Sequence, residues 1–300
     1  MDSDRATFTK MASKIFVLSP LRALKVITLL VAPSLARLSQ KLGLGFVSDE
    51  FQFFQGVVSK TLLLREEMGI RRGDFLDLMK DTNKLCETTM AAQSVLFLLA
   101  GFNNIASALS FTLHLLAKHP DIQQELRQKL MTISESKDEK IVTDFEALQK
   151  LPLLDCVVKE SLRLYPTDPT MERTCTKDYQ IPGSKVWIRA GQKVIIPIWC
   201  IHRDPIHWDN PNDFDPNRFS NISDRDFGPY FPFGLGPRQC IGLRFVNVVV
   251  KVGLHKILTN FEVLPSQNTI HPPPLSPKCL SSVMPLNGLP LSVIPLKSKK

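Results

Sequence analysis

The pattern of apolar and polar positions changes character halfway along the chain. Up to about residue 165, apolar residues recur at three- and four-residue intervals or fill whole runs, the signature of helices. The spacing predicts one amphipathic helix over 49–66 and a much longer one over 86–118. The longer one is almost wholly apolar through Val95 to Ala100, and a helix apolar all round is one buried in the middle of a domain. His119-Pro120 closes it. A helix with its charges on one face follows over 121–134, and a short one over 143–149 opens with Thr143 three residues before Glu146, a capping-box arrangement. A further helix over 151–165 stops at Pro166.

The second half reads differently. Only three of the 22 prolines lie before residue 150, which predicts a helical first half and a loop-rich second half. Within 177–197 the runs Val186-Trp187-Ile188 and Val194-Ile195-Ile196, separated by Pro182-Gly183 and Ala190-Gly191, predict short strands with turns between them. Residues 202–239 have no period, and a stretch that long inside a compact domain is usually functional. A last helix is expected from 241–243 to 260, and Asn287-Gly288 between apolar runs predicts a closing hairpin. The fold class is therefore mainly α with small β-sheets.

Composition narrows the function. With 300 residues and 44% hydrophobic content the chain can bury one large core. Its net charge is +8, but basic residues are mixed with acidic ones apart from the tail Lys297-Ser298-Lys299-Lys300. That pattern favours a local docking face over a nucleic-acid binder. On the last helix Arg244, Lys251 and His255 fall on one face, at offsets of seven and four, and are expected to form that docking face. The cysteines Cys86, Cys156, Cys175, Cys200, Cys240 and Cys279 stand 19 or more residues apart without a C-x-x-C pair, so reduced thiols are expected rather than a disulfide framework or a zinc cluster. Residues 15–32 are apolar but interrupted by Pro20, Arg22 and Lys25. They suit a membrane interface, or a face packed on the rest of a fold, better than a spanning helix. No targeting sequence is visible.

The strongest chemical signal is Phe233-Gly234-Leu235-Gly236-Pro237-Arg238-Gln239-Cys240-Ile241-Gly242, a glycine-punctuated loop that delivers one cysteine to the start of a helix. Gly236 permits a turn closed to residues with a Cβ, and Gly242 permits close approach to a flat cofactor. Unpaired N–H groups at a helix start favour a thiolate at Cys240. Arg238 is suited to a charge-assisted pair with a carboxylate. Glu160-Ser161-Leu162-Arg163 places two opposite charges three residues apart on one helix face. Alone this is an ordinary ion pair, but Pro216-Asn217-Arg218-Phe219 in the irregular stretch gives it context.

In this order the three motifs resemble those of the cytochrome P450 family, in particular its microsomal animal type. The resemblance covers nearly the whole chain and implies the C-terminal part of that fold, as a single partial domain of an N-terminally truncated member. Residues 1–45 would be membrane-proximal helices, 83–118 the long oxygen-binding helix, 151–165 the E-x-x-R helix, 177–197 a β-rich region, 202–242 the meander and cysteine loop, and 243–260 the last helix. It further implies haem b with Cys240 as the iron ligand. Arg173 and Arg238 would hold the propionates, Phe233, Gly236 and Gly242 would shape the loop, and Glu160, Arg163 and Arg218 would brace it. The implied activity is monooxygenation of a small apolar substrate, with electrons from NADPH through cytochrome P450 reductase and with cytochrome b5 as a further partner. The implied place is the cytosolic face of the endoplasmic reticulum membrane.

One segment departs from the family pattern. Ala100 and Gly101 match the oxygen-binding segment, but Asn103 stands where an acid is expected and Asn104 where an alcohol is expected. Delivering protons to reduced oxygen needs an ionisable or hydroxyl relay, and an amide orders water without titrating. Ser107 lies on the same helix face about 4.5 Å further along. Two alternatives stay open: from Asn103 and Asn104, a member that rearranges or dehydrates peroxides without an external proton, and, from the expected truncation, a non-catalytic chain that still binds haem or the reductase.

Overall fold

The structure, a computed structural model, describes residues 7, 8, 10, 11, 14, 49–82, 85–135, 145–220, 228–277 and 282–296. The expectations for residues 15–32 and for Thr143 lie outside these. The chain divides into two units, 1–103 with 278–280, and 104–277 with 281–300.

In the first unit α1 (Asp49–Glu67) and α2 (Phe75–Asp81) precede the long helix α3 (Glu87–Lys118). Gly69 and Gly73, both at positive φ, turn the chain between α1 and α2. Asp74 caps α2 by accepting from the N–H groups of Leu76 and Asp77. The Arg65 guanidinium grips both Asp74 oxygens at 2.6 and 2.8 Å, and this pairing holds the Asp74 carboxyl down at about 2. Phe54 and Val95 are fully buried among Phe8, Phe51, Phe53, Leu98 and Leu99. The expectation of a helix buried all round fails over 95–100, where Leu96 is 57% and Phe97 39% exposed. Only one face of this stretch meets the Phe54 cluster, so the remaining apolar residues stay at the surface.

The second unit holds the larger core. From Ala108 to Ala117 α3 is buried on most sides, joined by α4 (Pro120–Glu135), α5 (Phe145–Gln149), α6 (Pro152–Leu164) and, later, α8 (Leu243–Asn260). Pro120 opens α4 at a position where its missing N–H costs nothing. α8 packs on α4, α5 and α6, and Phe111, Leu116, Leu126, Leu154, Val157, Val250, Leu254 and Leu258 meet there. Each such side chain contributes roughly 1.5–3 kcal/mol by leaving water.

Among the described residues three small antiparallel sheets complete this unit. β1 (Met171–Thr174) pairs with β4 (Lys193–Ile196), Met171 opposite Ile196. β2 (Tyr179–Gln180) pairs with β3 (Trp187–Ile188), and β5 (Phe261–Pro265) with β6 (Leu291–Pro295). Helix α7 (Ile198–Ile201) follows β4, and the irregular stretch contains single 3-10 turns at Pro216–Phe219 and Gly236–Arg238. The hairpin expected at Asn287-Gly288 does not form as a pair of strands. β6 finds its partner in β5 instead, and Leu286 and Gly288 make an isolated bridge. Pro285 and Pro290 flank that turn and remove the donors a local ladder would need.

Candidate functional site

The irregular stretch is organised by one buried ion pair on α6. Glu160 and Arg163 are both completely buried and meet side by side, Arg163 Nε to Glu160 Oε2 at 2.7 Å and Nη2 to Oε1 at 2.8 Å. The other guanidinium hydrogens go to backbone carbonyls of the loop: His202 at 2.8 Å, Pro211 at 2.7 Å and Asp213 at 3.1 Å. Glu160 Oε1 accepts from the Asp215 N–H at 3.0 Å and from Arg218 Nε at 3.3 Å. Glu160, Arg163 and Arg218 are thus brought together, and a single turn of α6 fixes a loop that has no lattice of its own. Burial without these bonds would cost several kcal/mol per ion.

His202 carries this order to the cysteine loop. It is fully buried, stacks on Tyr230, and its Nε2 accepts the Phe231 N–H at 3.1 Å. The Phe231 carbonyl accepts from Gly234 N at 2.9 Å, and the Phe233 carbonyl accepts from Cys240 N at 2.9 Å. Because Nε2 must present a lone pair, His202 is neutral here, and burial lowers its pKa to about 4. A lone histidine in an aperiodic segment gave no sequence signal for this role.

The loop ends with its thiol facing outward. Cys240 is exposed and free. The helix begins later than residue 241, at Leu243 with Gly242 as its N-cap, so Cys240 sits two residues ahead of the cap. Gly236 has φ 75°, as its turn requires. Gly234 is the more constrained position: φ is 73° and a Cβ there would lie 2.8 Å from Met171 Cε. At Gly242 a Cβ would meet the Cys240 Sγ only at an ordinary 3.8 Å. Along the same loop and the start of α8, Leu235 is 60%, Ile241 86% and Phe245 63% exposed. Arg238 is exposed, and Phe233 is half-buried against the core.

Met171 ties β1 to this loop. Arg173 lies two residues along, on the same half-buried face of the strand, and gives one N–H to the Glu172 carbonyl at 2.9 Å. On α3 Ala100 is exposed and Gly101 half-buried. Asn103 is buried, and its Nδ2, like Asn104 Oδ1, has no hydrogen-bond partner among the described residues. The buried Ser107 hydroxyl donates to the Val283 carbonyl at 3.4 Å.

The basic docking face expected on the last helix is not there. Lys251 is 1% exposed and donates to Asp155 on α6 at 2.8 Å, and His255 is buried. Of the three, Arg244 alone is exposed. The shared face is the one α8 turns to the core, and a carboxylate 96 positions away compensates the buried lysine.

A family model described as Cytochrome P450 matches residues 7–291. Cytochrome P450 3A41 of Mus musculus is 38% identical over 263 residues, which are 83% of this chain and 51% of that protein. Cytochrome P450 3A31 of Mesocricetus auratus is 36% identical over 281 residues, 90% and 55% of the two chains. Probable cytochrome P450 6a13 of Drosophila melanogaster is 38% identical over 232 residues, 75% and 47%. The chain spans about half the length of the curated relatives it matches.

Proposed function

Since the chain belongs to the cytochrome P450 family, we propose that it serves a haem-thiolate monooxygenase, which inserts one atom of O2 into a small apolar organic molecule. The observation that carries this reading is the exposed thiol of Cys240, on a loop held by bonds that run back through His202 to a buried ion pair. The residues present fit haem b. The segment that carries the free thiol also carries exposed Leu235, Ile241 and Phe245, apolar groups suited to a flat apolar ring, and Arg238 is exposed and so open to a propionate.

In this reading Cys240 Sγ would hold the iron, Arg173 and Arg238 would hold the propionates, and Phe233, Gly236 and Gly242 would shape the loop. Glu160, Arg163 and Arg218 keep the loop from collapsing when the charged and apolar groups on it are desolvated. When bound, haem would supply activation of O2, with a thiolate ligand that favours O–O cleavage. The amides of Asn103 and Asn104 order water but release no proton of their own. Electrons would come from NADPH through cytochrome P450 reductase, with cytochrome b5 as a second partner, at the cytosolic face of the endoplasmic reticulum membrane.

The test is Cys240→Ser. The parent protein should give the red-shifted carbon-monoxide band of a thiolate-ligated haem, and the variant should lose it with helical content unchanged. A thiolate-type band in the variant removes the assignment. The orphaned donor and acceptor of Asn103 and Asn104 favour one other reading, rearrangement or dehydration of a peroxide without an external proton. Product formed from a fatty-acid hydroperoxide without reductase would support it, and product that depends on reductase excludes it.

A further inference from the structure

The link between α6 and β1 spans the distance from α3 to the cysteine loop. At its start the Tyr165 ring stacks on Phe111 of α3, centroids 4.4 Å apart. Thr167 accepts the Val283 N–H at 2.7 Å, and the Val283 carbonyl in turn accepts from Ser107. The Pro169 carbonyl accepts from Trp199 N at 2.9 Å, and Met171 lies against Gly234. The link is thus pinned at one end beside the turn of α3 that carries Asn104 and Ser107, and at the other beside the loop of Cys240.

Asp168 sits in the middle of this link with no structural partner. It is half-buried, and among the described residues its carboxylate makes no hydrogen bond or ion pair. Burial raises its pKa, and no neighbouring cation acts to lower it. Other acids here are compensated: Glu160 by two arginines, Asp155 by Lys159 and Lys251, Glu172 by Lys193, Asp178 by Arg189. A carboxylate taken from water without a partner costs stability. Its oxygens are not sealed off, so a counter-charge can reach them from outside the chain.

We propose that Asp168 is a specificity-determining residue, receiving the cationic amine or ammonium head of an otherwise apolar small molecule that lies between α3 and the Cys240 loop. This deepens the monooxygenase reading and rests on it. The carboxylate would position the charged end of the molecule, leaving its apolar body toward Leu235 and Phe233. A charge pair in a partly desolvated cleft discriminates between a cation and its neutral isostere far better than shape does.

The experiment is calorimetric titration of the haem-loaded protein with (3-phenylpropyl)trimethylammonium and with its neutral tert-butyl carbon isostere. The quaternary nitrogen has no lone pair, so direct ligation of iron is excluded. The parent protein should bind the cation at least about tenfold more tightly than the isostere. Asp168→Asn should remove that preference and Asp168→Glu retain it, both variants keeping the parent's circular dichroism and the Asn variant melting no lower than the parent. Equal affinity for the two ligands in the parent, absence of binding included, overturns the proposal. So does a preference that survives Asp168→Asn. The carbon-monoxide spectrum of the same samples tests the haem reading separately: a missing thiolate band with a preference that still follows Asp168 removes that reading and upholds the ammonium site.

Discussion

At the scale of single residues the candidate site depends on charges and neutral rings placed where water does not reach. Glu160 and Arg163 are both fully buried, so removing either leaves its partner charged and unpaired. Arg163→Met should lower unfolding free energy by about 3–5 kcal/mol. Arg218→Met should cost less, because Arg218 is partly exposed and its contact with Glu160 is longer. Urea unfolding of the two variants checks the order. The histidines set a pH dependence. Burial lowers His202 to about 4, and lowers His114 to about 4 with a further contribution from His271 and Lys118. An unfolded histidine titrates near 6.5. Below about 6.5 the unfolded chain therefore takes up protons that the folded one refuses, and stability falls until about pH 4, below which this contribution is spent. His202→Gln, which keeps an acceptor for Phe231 N–H, should flatten that loss by up to about 3 kcal/mol across the window. An unchanged slope in urea midpoints between pH 4 and 7 would show that His202 already carries its proton when folded.

At the scale of elements, helices with a strong apolar period were legible from sequence because their information is local. The expectations of 49–66, 121–134 and 151–165 stand beside α1, α4 and α6 with ends shifted by one residue at most. What depended on distant partners was not legible. Residues 171–174 become a strand only because β4, some twenty positions on, supplies the other edge, and β6 leaves its local turn for β5. Lys251 reads as a surface lysine until Asp155 is placed against it. In the candidate site the motif residues could be named, whereas His202 could not, since it belongs to no pattern and acts through neighbours the fold supplies. The cysteine loop allows a test of what its glycines do. Gly236→Ala meets open space, so it carries only the strain of a positive φ, about 1 kcal/mol. Gly234→Ala carries that strain and also a contact with Met171. It should be the more destabilising of the two, and its cost measured in the Met171→Ala background should fall to that of Gly236→Ala. Equal effects of the two glycine substitutions without Met171→Ala would mean that Met171 swings aside at no cost.

At the scale of the whole molecule the two units differ in how much apolar surface they have withdrawn from water, and that difference predicts how each opens. In the second unit Leu154, Val157, Leu162, Val250, Leu254 and Leu258 are at or below 3% exposure on α6 and α8. The buried ion pair adds bonds that cannot be released one at a time, because each loosened partner strands a charge. Such elements open only when the unit unfolds as a whole. In the first unit α1 buries Phe54 at one end, while Leu63 and Leu64 at the other, and Met68 just past it, are more than half exposed. The last turns of α1 bury little apolar surface, and what ties them down is the Arg65 pair with Asp74 rather than a packed core. Amide hydrogen exchange should therefore divide the chain. Protons of 154–162 and 250–258 should exchange at a common rate that rises with denaturant, the mark of global opening. Those of 61–67 should exchange orders of magnitude faster and with little denaturant dependence, because local fraying exposes little new surface. Binding of a ligand confined to the second unit should slow exchange in α6 and α8 by the factor its affinity sets. Equal protection of 61–67 and 154–162 would mean that the exposed apolar residues at the end of α1 are covered in solution.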